Sequence, residues 1–438
     1  MTFLYVTGVA SSPETRGSFD IISSSFLATF LCTWSSLCLN VPHPDDSDLK
    51  VLLRKAKWML WGILMPEVVL SISFGQYASA QRSVKRFREI GYPSWTLRHG
   101  FFADMGGILL LPEGGTPFVI NSSQVALLVE KGHMEYPKIT ADEIWDKSKA
   151  DFLSKSFAFL QAAWFIFQLL GRAALRLPTT ALEIFTGAIV ICSLGNSVCW
   201  LHKPNDIRKS VTVRVGVTLE QIVSGGEDAA AIFRQHIAHT DEVPPKDPSL
   251  LKAFGLSRSV HRQPLMRFSN GTFPELNIPH KLVFFFLGKG YAAFHLAAWN
   301  SHFPTHFELL GWRVASSVVT GASLILWAFE VLLFAPDGYT WSKYLNPLHH
   351  QKVSSRQVST KVDVENSASD QTGPNFSKAK ERNIRLSLHP YYRVVIRATL
   401  VPLYVIGRLL LLVESLTSLR AQPPDVYSTF SVAKLVSH

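Results

Sequence analysis

The chain has 438 residues, a formal net charge of +10, 17% charged residues and 47% hydrophobic ones. Soluble proteins carry about a quarter charged residues, and here the apolar residues gather into blocks of about 20, the length a bilayer demands, which argues against a purely water-soluble fold. Lys and Arg lie at the block ends and not along one face, so anionic lipid headgroups, and not nucleic acid, are the expected partner of the positive charge.

A short tail, residues 1–18, carries Glu14 and Arg16 and has no clear secretory signal, so the first apolar block reads as a retained helix. Seven spans are expected: Phe19 to Val41, Trp58 to Ala80, Phe152 to Gly171, Pro178 to Leu201, Lys281 to Asn300, Trp312 to Pro336 and Val394 to Leu416. Pro42, Pro44 and Pro178 punctuate their ends, and Trp58, Trp145, Trp200, Trp299 and Trp312 suit the headgroup level. The fold class is therefore all-α, a polytopic transmembrane helical bundle with partly structured loops. Spans occupy 19–80, 152–201, 281–336 and 394–416, and a C-terminal tail follows at 417–438.

The loop 81–151 is not uniformly polar. Its segment Trp95 to Leu111 is too short and glycine-rich to span and reads as an interfacial or re-entrant element. Thr140 and Glu143 have the spacing of a helix capping box, which opens a surface helix. In the loop 202–280, alternating Val211, Val213, Val215 and Val217 predict one strand, followed by an amphipathic helix around Ala229 to His239. The loop 337–393 contains Val353 to Ser387, rich in Ser, Lys, Asp and Asn without apolar periodicity, which predicts disorder. The basic residues near the long loops place those loops in the cytoplasm by the positive-inside rule, whereas Lys50, Arg54, Lys55 and Lys57 in the first short loop argue for the reverse. Glycosylation sequons at Asn121, Asn270 and Asn375 would be usable only if the long loops were lumenal. Cys32, Cys38, Cys192 and Cys199 lie inside apolar blocks and read as small packing residues.

The phrases Cys32-Thr33-Trp34 with Asn40-Val41-Pro42, Pro66-Glu67, Gly106-Gly107, the run Ile144 to Asp151, Leu201-His202-Lys203-Pro204, and Glu414 to Arg420 resemble a largely uncharacterised family of fungal multi-span integral membrane proteins. The resemblance implies the multi-span architecture and a fungal source, where membrane proteins of this general kind serve secondary metabolism. It supplies no reaction.

An ionisable residue at a span centre costs about 2.5–3.5 kcal/mol on insertion scales, so each requires a partner or a role. Glu67 follows the helix-kinking Pro66, Glu183 and Glu330 fall in spans four and six, and Arg408 and Glu414 share span seven. A buried carboxyl tends to hold its proton and can act as a general acid. An acid-initiated terpene or meroterpenoid cyclase needs such an acid, with aromatic faces for the cation. Glu67 and Glu330 are its candidate acids, with Glu183 a further candidate, and Trp61, Trp164 and Trp327 are candidate cation stabilisers that would line a lipophilic substrate. His295 in span five is a candidate proton relay or acyl-transfer base, although one interhelical hydrogen bond is the commoner use of such a histidine. His302 with His306, His236 with His239, and His349 with His350 fall short of a di-iron set in number and spacing. Asp45-Asp46-Ser47-Asp48 lacks the third spaced aspartate of a magnesium-diphosphate site, and no phosphate-cradling loop or nucleophile elbow is present. No cofactor or metal is expected. The rival expectation is a non-catalytic transporter, sensor or scaffold, and for either the endoplasmic reticulum is favoured over the plasma membrane.

Overall fold

The computed structural model describes residues 6–8, 10, 16–146, 150–224, 233, 266–271, 278–333 and 390–429. The expected helix at 229–239, the expected disorder at 353–387, Asn375 and the pairs His236–His239 and His349–His350 lie outside these residues, apart from the buried Phe233. The chain divides into two compact units, Met1–Ser317 with Gly407–His438, and Val318–Ile406.

The fold is mostly helical. In order, the elements are β1 (Val6–Thr7), α1 (Ser18–Ser36), α2 (Asp48–Leu64), α3 (Pro66–Glu89), α4 (Leu97–Asp104), β2 (Ile108–Leu111), β3 (Phe118–Val119), α5 (Ser122–Glu130), α6 (Ala141–Asp146), α7 (Ala150–Ala174), α8 (Ala181–Cys199), β4 (Val211–Arg214), α9 (Leu219–Ser224), α10 (Ile278–Phe294), α11 (His306–Leu333), α12 (Pro390–Thr417) and β5 (Ala421–Gln422). Single 3-10 turns occupy His295–Ala298, Ser418–Arg420 and Pro424–Tyr427.

Among the described residues, four helices are long and apolar enough to cross a membrane: Lys155–Ala174 of α7, Ala181–Cys199 of α8, His306–Leu326 of α11 and Val395–Arg420 at the C-terminal end. A fifth span exists only if α2 and α3 count as one. This corrects the expected seven. The block at 19–41 forms α1, whose apolar run is diluted by Asp20, Ser23, Ser24 and Ser25. The block at 281–300 forms α10, whose 17 residues rise about 25 Å, short of the ~30 Å hydrocarbon core. The block at 58–80 is not one helix: Pro66 has no N–H to donate to Gly62, the helix stops at Met65, and α3 departs at 112°.

α8 is the centre of the larger unit. It is buried along most of its length and packs against α1, α3, α7 and α10. α7 instead turns Phe157, Leu160, Trp164 and Leu170 outward, an apolar surface suited to lipid.

The loops on either side of α7–α8 build one small α/β domain, which replaces the re-entrant element expected at 95–111. β2 pairs antiparallel with β3 and parallel with β4, Ile108 opposite Val211 and Leu110 opposite Val213. The valine alternation thus does mark a strand, and its partner comes from the preceding loop. α4, α5, α6 and α9 surround this sheet, with Phe87, Trp95, Phe102, Leu110, Ile120 and Leu128 in one core. Trp95 stacks on Phe87 at 3.9 Å and donates its indole N–H to Ser83 Oγ at 3.1 Å. The Thr140–Glu143 capping box forms in both directions, at 2.9 and 3.1 Å. Asn121 caps α5 by accepting from the Gln124 N–H, and Asn270 accepts from the Asn40 N–H, so both described sequons hold structural hydrogen bonds.

Gly106 takes φ +90°, and a Cβ on Gly107 would stand 2.5 Å from the Phe102 carbonyl oxygen and ring. The pair allows α4 to turn directly into β2. Gly107→Val is predicted to destabilise the α/β domain by at least about 1–3 kcal/mol. Limited proteolysis of the full protein would then cut within residues 90–130 faster than in wild type. Gly216→Ala, which meets nothing within 4 Å, is the neutral control.

Candidate functional site

Three polar nodes lie inside the larger unit. The first forms where the α2–α3 break leaves carbonyls without helical donors. The Val68 N–H, which would serve Leu64 in a continuous helix, donates instead to Met65 O at 3.0 Å. Arg408 of α12, fully buried, takes over: its Nε donates to Leu64 O and its Nη2 to Ile63 O, both at 3.0 Å. A cation at these carbonyls also opposes the negative end of the α2 dipole. Nη1 of Arg408 lies 2.5 Å from His295 Nε2, and His295 Nδ1 lies 3.3 Å from Tyr291 O. Arginine can only donate, so His295 accepts at Nε2 and carries its proton on Nδ1, facing Tyr291 O. Trp312 Nε1 donates to His295 O at 3.2 Å. Phe185 and Tyr291 present their rings to the guanidinium at 4.6 and 5.2 Å.

Glu67 sits half-buried in the first turn of α3, immediately after the break. Its charge reaches Lys289 of α10 and Cys192 of α8, and the field of Arg408 reaches Cys192 as well. Glu67 and His295 are therefore brought to one region by Arg408, α8 and α10.

The second node holds Glu183, which lies in the first turn of α8 and not in mid-helix. Its carboxylate accepts from the Thr180 N–H and hydroxyl, each at 2.9 Å, and pairs with the Arg16 guanidinium. Beside it, buried Arg172 donates to Pro178 O, Val426 O and Ser428 O at 2.6, 2.9 and 2.8 Å. This node fastens both ends of the chain to the start of α8.

The third node is Lys203, just past α8 and 3% exposed. Its Nζ donates to Gln76 Oε1 at 2.8 Å and Asn40 Oδ1 at 3.0 Å, and Trp200 Nε1 donates to the same Gln76 oxygen. Asn40 in turn donates to Ser269 O, and its own carbonyl accepts from Arg54. Ser210 Oγ bonds Gly106 O, and Val41 N bonds Met105 O. The segments around Asn40, Gly106-Gly107 and Lys203 thus converge where the helices meet the α/β domain. Burial pushes the Lys203 ammonium down to about 7, against the opposing pull of Cys38 and Asp104. Burial likewise raises the Asp104 carboxyl, which accepts from the Ser122 N–H at 2.9 Å.

The remaining expected site residues are dispersed. Trp61 packs with the cluster of Leu37, Val69, Ile72, Phe101 and Trp200. Trp164 is 53% exposed on α7, beside Phe167. Trp327 and Glu330 belong to α11, and their side chains lie outside the described residues. The faces next to the buried cation are Phe185 and Tyr291, which the sequence does not single out among so many aromatics. Among the described residues, no three His, Cys, Asp or Glu side chains converge to hold a metal ion.

Arg408→Ala leaves two buried carbonyls and an imidazole nitrogen without their donor. It is predicted to cost about 3–5 kcal/mol, read as a lowered melting temperature in detergent, with Arg408→Lys recovering part of the loss. For Lys203, the folded state holds its proton less tightly than the unfolded chain, whose lysine titrates near 10.5. The unfolded state therefore binds more protons between pH 7 and 10.5, and stability rises with pH across that window by at most about 1.4 kcal/mol per unit. Thermal melts of wild type and Lys203→Met from pH 7 to 9.5 check this, the slope being smaller in the variant.

No curated protein and no solved structure matches the chain. One family match covers residues 4–226, from the N-terminal strand through α9, and is described as a family of unknown function. It takes in Arg16, Asn40, Glu67, Arg172, Glu183 and Lys203, and it ends before Ser269, His295, Arg408 and Val426. Because the match covers just over half of the sequence, the chain belongs to that family, DUF8562.

Proposed function

We propose that this protein is a non-catalytic membrane scaffold, in which a helical body held in the bilayer carries the small α/β domain at its surface. The observation behind this reading is the commitment of the polar groups within the helices. Broken intramembrane helices mark transport sites when their free ends point at a substrate or ion. Here the carbonyl end of the break meets Arg408, and the amide end carries Glu67 in its first turn. His295 has both ring nitrogens engaged, and Glu183 is held by Arg16 and Thr180. Such groups stabilise helix packing and leave little for turnover.

A second reading has its own observation. Glu67 lies at the helix break with Lys289 and Cys192 in its field, and the field of Arg408, which the Phe185 and Tyr291 rings face, also reaches Cys192, a setting in which an acid could act on a lipophilic molecule. This is the membrane enzyme of fungal secondary metabolism, in its sharpest form the acid-initiated terpene or meroterpenoid cyclase. Residence in the endoplasmic reticulum fits both readings.

Complementation of a deletion strain separates them. The scaffold reading predicts that Glu67→Gln restores the wild-type metabolite profile in full, whereas Gly107→Val, which disrupts the α/β domain, fails. The cyclase reading predicts that Glu67→Gln fails, with a linear or epoxidised precursor accumulating at the expense of a cyclised isomer of equal mass.

A further inference from the structure

α2 has an exposed face made of leucine. Leu49, Leu52, Leu53 and Leu60 are 63, 51, 59 and 55% exposed, and at 100° per residue they form one continuous leucine row. The opposite face is occupied, since Gly62 stands against Thr33 of α1 and Lys55 lies over the Trp34 ring at 4.9 Å. Exposed Lys50 and Lys57 flank the leucine row on one side. The acidic residues at the start of the helix are drawn away by other partners, Asp48 by Arg208 at 2.7 Å and Asp46 by Arg267 at 3.2 Å, which leaves the lysines as the charge at the edge of the row.

The direction of α2 distinguishes a membrane-spanning role from a surface one. α2 meets α3 at 112°, so it lies within about 25° of perpendicular to it. α3 runs alongside α8, Leu70 against Gly195, Ser73 bonded to Asn196 and Gln76 bonded to Trp200, and α8 has the length and apolarity of a span. A helix crossing such a bundle at right angles, leucines outward and lysines along the rim, has the form of an in-plane interfacial helix.

We propose that α2 is an in-plane membrane anchor: its leucine row enters the acyl boundary of one leaflet, and Lys50 and Lys57 bind the anionic headgroups above it. The α2–α3 pair is then one surface helix followed by one buried helix, not a broken span. The bend clamped by Arg408 fixes the angle at which the surface helix meets the bundle. Each lysine near an anionic surface is worth about 1 kcal/mol, which sets the lipid preference expected.

The test uses the full chain in nanodiscs of phosphatidylcholine with or without phosphatidylserine. Spin labels are placed singly at positions 49, 52, 53 and 60 in a Cys199→Ala background, because the other three cysteines are buried. An in-plane helix gives all four labels the same immersion depth within a few ångströms. A spanning helix gives a monotonic gradient of about 16 Å over the eleven-residue interval, which would overturn the proposal. Labels that show no lipid contact would also overturn it, by showing that protein covers the face. For the headgroup assignment, the Lys50→Glu/Lys57→Glu variant should retain at least threefold less phosphatidylserine relative to phosphatidylcholine on purification from mixed nanodiscs. Equal retention by variant and wild type overturns that assignment even when the depths are uniform.

Discussion

A helix that ends inside a protein leaves carbonyl oxygens that must be paired, and in a low-dielectric interior each unpaired one costs up to several kcal/mol. In this chain the cost arises at Met65–Pro66, and the Arg408 side chain meets it. One guanidinium binds Ile63 O and Leu64 O on the α2 side and His295 on the other, between the Phe185 and Tyr291 rings. Elements 344 and 345 residues apart in sequence are thereby fixed to one another. The contact joins the end of α2, the His295–Ala298 turn and the stretch of the last helix that follows Gly407.

The same economy recurs at the other nodes. Glu183 would be an expensive intramembrane carboxylate, but at the first turn of α8 it caps the helix and pairs with Arg16 from the N-terminal segment. Lys203 has two amide oxygens as acceptors, a weaker compensation for burial than a carboxylate, and its depressed affinity for protons follows. It lies where the helices, the Asn40 segment and the β2–β4 sheet come together. The family match covers the Asn40 and Lys203 segments of this junction and the α/β elements from α4 to α9, and it ends before the Arg408 and His295 contacts.

Much of the helical content is legible in the sequence, because apolar blocks and capping spacings act locally. The Thr140–Glu143 box, the strand at Val211 and the kink at Pro66 can all be read from neighbouring residues. The span count is not, since the serines of α1 and the short reach of α10 weaken blocks that a length criterion alone accepts. The α/β domain is hidden for a different reason: β2 and β4 come from loops about 100 residues apart, and a strand of four residues acquires meaning only with its partner. Of the candidate site, the cost of Glu67, His295 and Arg408 in an apolar setting is visible in the sequence. That Arg408 would engage backbone carbonyls and not Glu414 depends on where a helix breaks more than 300 residues earlier, which no local pattern encodes. Trp164 illustrates the converse, because an aromatic on a membrane helix has the same sequence signature whether it faces lipid or a pocket.

The most direct test of the account is an experimental density map of the protein in a lipid nanodisc, resolved well enough to show side chains at the helix break. Arg408 density is expected to be continuous with the Ile63 and Leu64 carbonyls and with His295, with no non-protein density beside Glu67 or against the Phe185 and Tyr291 rings. A bound lipophilic molecule at that position, with Arg408 swung away from the carbonyls, would contradict it.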